Sequence, residues 1–130
     1  MYTKTKRVIG SGDTDVDCTF PFSLLAAGSG DATLVKAGPC QLVSIHAINV
    51  SAAVRYLRFY DTSIKPTVGA GIPIRRYGIP GATTGAGFVL QPPLPMRFTQ
   101  GIGFTLTTGV ADTDTAGLTA NDVILTLEYV

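Results

Sequence analysis

The chain has 130 residues, a net charge of +1, and 45% hydrophobic but only 15% charged residues. That length makes one domain around one core, and the near-neutral balance removes any global electrostatic case for nucleic acid. Fifteen Gly and eight Pro exclude long helices and favour short strands joined by turns.

Residues 1–12 read as an extended N-terminal arm, made basic by Lys4, Lys6 and Arg7 and closed by Gly10-Ser11-Gly12. The N-terminus lacks a signal peptide's apolar run, and no stretch approaches the ~20 apolar residues of a membrane span. The expectation is a protein made in a cytoplasm, with no membrane partner. Residues 13–130 read as a single β-sandwich domain. Residues 16–20 form a first strand that Pro21 ends, and residues 22–27 are the one helical turn, stopped by Gly28-Ser29-Gly30. Ala32–Ala37 is a short strand before the Gly38-Pro39 turn. Residues 40–50 are the longest β-like run. Leu42, Ser44, His46, Ile48 and Val50 share one face, and Val43, Ile45, Ala47 and Asn49 the other. Both faces are largely apolar, which predicts a central strand covered on both sides.

Residues 54–60 set Arg55, Leu57 and Phe59 against Tyr56, Arg58 and Tyr60, and a Tyr-Arg-Tyr face suits a subunit contact. Ile72, Ile74 and Tyr77 make a short edge strand, since Pro73 forbids a central place. Residues 88–90, Met96–Phe98 and residues 102–107 add further strands. An acidic loop from Ala111 to Gly117 hands over to an alternating strand that runs to Val130, leaving no tail for catalysis or targeting. That strand buries Val123, Leu125, Leu127 and Tyr129 and exposes Ile124, Thr126 and Glu128. About eight short strands predict an all-β fold, an antiparallel β-sandwich or jelly roll.

Little in this chain looks reactive. His46 is the single histidine, and in an apolar strand it reads as a core or interface residue rather than a base or metal ligand. A hydrolase or isomerase of the cupin kind needs several converging ligands, so neither enzymatic activity nor a cofactor nor a metal is expected. Asp112-Thr113-Asp114 begins like a calcium loop. Ala116 and Val123 stand where further oxygen ligands belong, which favours an Asx-turn. Cys18 and Cys40 read as two buried reduced thiols, with a disulfide as the alternative. Asn49-Val50-Ser51 matches a glycosylation acceptor by chance.

The charges fall into blocks: basic over 1–12, acidic over 13–31, mostly basic over 32–100 and acidic over 101–130. Such blocks pair within one fold or between identical neighbours. Arg and Tyr are favoured in protein interfaces, which singles out Tyr2, Lys4, Lys6, Arg7, Tyr56, Arg58, Tyr60, Arg75 and Arg76 as contact candidates. Stacking of Arg75-Arg76-Tyr77 on a nucleic acid is the less favoured use.

The run from Ile45 to Asp61, IHAINVSAAVRYLRFYD, resembles a stretch of small structural proteins encoded among tailed-phage head genes. So do Lys65-Pro66-Thr67-Val68-Gly69, Ile72-Pro73-Ile74, Gly78-Ile79-Pro80, residues 98–104, Ala111-Asp112-Thr113-Asp114 and Asn121-Asp122-Val123. The resemblance covers roughly residues 40–130. It implies a capsid decoration (cement) protein: a compact β-fold, often a trimeric jelly roll, bridging major capsid subunits at the virion surface after synthesis in the host bacterium's cytoplasm. The basic arm would then order in an acidic groove of a capsid subunit. A tail, adaptor or fibre-tip module binding another virion protein or a host glycan is the alternative.

Overall fold

A computed structural model of the chain describes residues 8–9, 14–15, 19–25 and 32–130. Among them there is no helix. The strands are β1 (Val8–Ile9), β2 (Thr14–Asp15), β3 (Phe20–Leu25), β4 (Ala32–Ala37), β5 (Cys40–Asn49) and β6 (Arg55–Asp61). They continue with β7 (Arg75–Ile79), β8 (Ala86–Leu90), β9 (Met96–Phe98), β10 (Gly101–Thr107) and β11 (Val123–Tyr129). One sheet runs β4-β10-β6-β7 and the other β3-β11-β5-β8, with β9 also on β5; all pairings are antiparallel. β1 and β2 form a separate two-residue ladder that straddles the boundary expected between arm and domain at residue 12.

The inner faces of the two sheets share one core. Leu57 and Phe59 of β6 and Ile102, Phe104 and Leu106 of β10 meet Leu42, Ile45 and Ala47 of β5 and Val123, Leu125 and Leu127 of β11. Aromatic edges lock the sheets across this layer: Phe22 to Phe104 at 5.8 Å and Phe59 to Phe98 at 6.3 Å between ring centres. Edge-to-face rings gain more than their buried area alone.

Three expectations change. The stretch read as a helical turn is strand β3, whose inward Phe22 and Leu24 alternate with exposed Ser23 and Leu25. Pro21 lies inside it rather than ending it, which its edge position allows. Pairing with β11 overrides the local helical pattern, as tertiary contacts often do.

The second change concerns β5. It is central, but it is covered on one side only beyond its midpoint. The register against β11 slips by one residue between Leu42 and Ser44, so Leu42 and Ile45 both reach the core although they lie on opposite faces of a regular strand. His46 and Ile48 consequently point to solvent, which removes the core alternative for His46 and leaves the interface one. Third, the short strand begins at Arg75, leaving Ile72 outside it and 85% exposed. Its edge position is as expected.

Candidate protein interface

The two outer sheet faces differ. On the four-stranded sheet, all seven residues of β10 are buried, including Gly103, Thr105 and Thr107, which face away from the core. Two loops roof that side. Residues 62–74 bring Pro66 and Thr62 over Gly103, and residues 108–117 fold back to touch them, Thr113 and Thr115 reaching Gly69.

Arg58 anchors this roof and is only 2% exposed. Its Nη1 donates to Thr107 Oγ1 at 2.6 Å, and its Nη2 reaches the carbonyls of Gly109, Val110 and Ala111 at 2.9, 2.7 and 2.6 Å. Its Nε donates to Asp112 Oδ1 at 3.2 Å. Arg76, opposite Arg58 on β7, donates to the same carboxylate at 2.6 Å, so Asp112 separates two like charges that the register sets side by side. The bond from Arg76 holds the Asp112 carboxyl below the usual range; desolvation opposes it and Arg58 adds to it. Asp114 closes the loop as an Asx-turn, its Oδ1 accepting from the Ala116 N–H at 3.0 Å. Among the described residues, no group of three or more His, Cys, Asp or Glu gathers where it could hold a metal ion.

The contact candidates thus separate. Arg58 is committed inside the fold, Tyr60 is 6% exposed, and Tyr56 is half-buried. Arg75 and Arg76 are exposed. Tyr2, Lys4, Lys6 and Arg7 lie outside the described residues, as does Cys18. Cys40 is a buried free thiol whose pKa burial pushes up, with Lys36 pulling it down less. Tyr77 is packed between Phe59 and Phe88 and donates to Met96 Sδ, so it offers no free ring face for a base. Asn49 is fully buried and its amide donates to the carbonyls of Ala53 and Ile79, which removes the glycosylation acceptor from the surface.

Among the described residues, no loop roofs the outer face of the five-stranded sheet. Register aligns Leu25, Ile124, Ile48 and Gly87 in one rank across β3, β11, β5 and β8. The next rank is Ser23, Thr126, His46 and Val89. Leu25, Ile48 and Val89 are 51, 47 and 68% exposed, Ile124 38%. Gly87 keeps the sheet tight at φ +152°, where a Cβ would run into the Ala47 carbonyl. Among the described residues, these ranks are flanked by Glu128, one rank further on, which accepts from Thr19 Oγ1 at 3.2 Å, and at the other end by Asp122, which is paired with Arg55. A contiguous, uncharged aliphatic sheet face is the mark of a surface that becomes buried in an assembly. Alternation in the sequence places Ile124 outward; only the strand pairing brings Leu25, Ile48 and Val89 beside it.

No protein-family model matches the chain, and no curated protein sequence matches it.

Proposed function

We propose that the chain is a structural, non-enzymatic virion protein that binds the outside of a tailed-phage capsid and stabilises it by bridging neighbouring major capsid subunits. The observation that carries this reading is the bare aliphatic face of Leu25, Ile124, Ile48 and Val89. A bridging protein needs area that leaves water on docking, and a standard interface buries roughly 1,600 Å² in total. We assign this face to contact with the capsid subunits. Many identical copies on a symmetric shell multiply a modest affinity through avidity.

The resemblance of residues 40–130 to phage head proteins points the same way, and so does the winding of the chain. It crosses between the sheets at β3–β4, β4–β5, β5–β6, β7–β8, β9–β10 and β10–β11, which supports a jelly roll. Three copies around a capsid three-fold axis are the assembly this reading expects, with residues 1–12 reaching onto a neighbouring subunit.

Co-sedimentation with expanded phage capsids tests the reading. Saturable pelleting at a fixed ratio to the major capsid protein is the expected result, and a light-scattering mass of three chains supports the trimer. Protein that stays in the supernatant at every capsid concentration contradicts the role.

A further inference from the structure

His46 stands inside the aliphatic face of the five-stranded sheet rather than beside it. Register sets it between Thr126 of β11 and Val89 of β8, one rank from Ile48 and Ile124. His46 is exposed, as are its neighbours Ile48 and Val89. In the ranks of Ile48 and His46 it is the one side chain that can gain a charge between pH 5 and 8.

The charged groups around it are committed elsewhere or remote. On β11, Glu128 lies one rank away on the diagonal and accepts from Thr19 Oγ1 at 3.2 Å. Asp122, two ranks away in the other direction, is taken by Arg55 at 3.0 Å. β8 carries no ionisable residue, nor do the β3 positions that share these ranks, Pro21, Ser23 and Leu25. On β9, Arg97 stands opposite Gln41, at the far end of β5. His46 forms no ion pair among the described residues.

Docking on an aliphatic face strips water from whatever stands within it. A neutral imidazole then incurs the modest cost of a polar group. An imidazolium with no acid beside it incurs the far larger cost of a buried charge. In the undocked protein both forms are in water, so the difference falls on binding. A group protonated when free and neutral when docked weakens docking as pH falls through the ordinary imidazole range, near pH 6.5.

We propose that docking of this face is coupled to deprotonation of His46, which releases one proton to solvent for each chain bound. The proposal rests on the reading of this face as the capsid contact and adds its regulation. The protein holds its partner at neutral pH and loosens in acid.

Co-sedimentation with expanded phage capsids at pH 7.5 and pH 5.5 tests it, using the parent protein, His46→Gln and His46→Lys. The parent is expected to bind about tenfold more weakly at the lower pH, which is what one proton per chain gives for an ordinary imidazole. His46→Gln cannot take up the proton, so its two affinities should agree within about twofold. His46→Lys, charged at both pH values, should bind weakly at both. Position 46 is exposed, so circular dichroism should be the same for all three proteins. Parental binding that is equal at the two pH values overturns the proposal and leaves the capsid reading standing. An acid loss that persists in His46→Gln also overturns it and assigns the titration to the capsid. Tighter parental binding in acid overturns it too, because an acidic group of the partner must then face His46. No binding by any of the three at either pH removes the capsid reading and this proposal with it.

Discussion

Arg58 carries a charge that the fold has enclosed and surrounded with acceptors, so its removal acts through the loop that it holds. Truncation to Met strands the carbonyls of residues 109–111 and the Thr107 hydroxyl, with an expected loss of about 3–5 kcal/mol in urea unfolding. Arg58→Lys should lose most of that as well, because a lysine ammonium cannot reproduce the planar fork that reaches five groups. A lysine variant of parental stability would show that charge alone holds the loop. Asp61 acts on the opposite end of the same strand. Desolvation raises its pKa, but hydrogen bonds from the Thr99 hydroxyl and the Gln100, Thr99 and Gly101 amides outweigh it and leave the pKa lowered. A carboxyl lowered below its unfolded value of ~3.9 contributes stability that is present above that pH and lost as pH falls through the folded pKa. Asp61→Asn should therefore melt below the parent protein at pH 7. The gap should narrow from about pH 4 downward, as thermal melts across that range would show. A gap that stays constant there removes Asp61 from the acid response.

At the scale of the strand, β8 reaches β5 through glycine, and two neighbouring glycines separate two causes. Gly85 has φ +97° with open space around its missing Cβ, whereas Gly87 at φ +152° faces the Ala47 carbonyl. Gly85→Ala should cost about 1 kcal/mol of backbone strain, and Gly87→Ala about 2–4 kcal/mol because the ladder to β5 must also shift. Equal urea midpoints for the two variants would contradict the close approach. β4 was legible as a short run stopped by the Gly38-Pro39 turn, and β11 because its alternation matches its burial, inward Val123, Leu125 and Leu127 against outward Ile124. β3 was not, since Phe22-Ser23-Leu24-Leu25 fits a helical turn as well as a strand and only pairing with β11 decides it. The core alternative for His46 failed for a related reason. A one-residue slip at Val43 changes which side of β5 faces the core, and a bulge leaves no mark in the residue types. The Tyr-Arg-Tyr face of β6 was legible, but the burial of Tyr60 and Arg58 on it depends on loops whose path the sequence does not specify.

Across the whole molecule, the acidic C-terminal block answers the basic middle of the chain within one protomer. Asp122 takes Arg55 at 3.0 Å, and Asp112 takes both Arg58 and Arg76. These pairs resolve much of the charge segregation inside the fold and leave the ranks of Leu25, Ile124, Ile48 and Val89 without a charged residue of their own. Among the described residues, one sheet is roofed by its own loops and the other is not, an asymmetry that gives the molecule a side to present to an assembly. The most direct measurement is quantitative co-sedimentation of the parent protein, Ile48→Asp and Val89→Asp with expanded phage capsids. Both substitutions fall at exposed positions, so circular dichroism and melting should stay near parental values. Each introduces a charge that must be desolvated on docking, and the account predicts saturable binding of the parent and at least about tenfold weaker binding of each folded variant. Parental affinity in both variants would contradict the assignment of this face to the capsid.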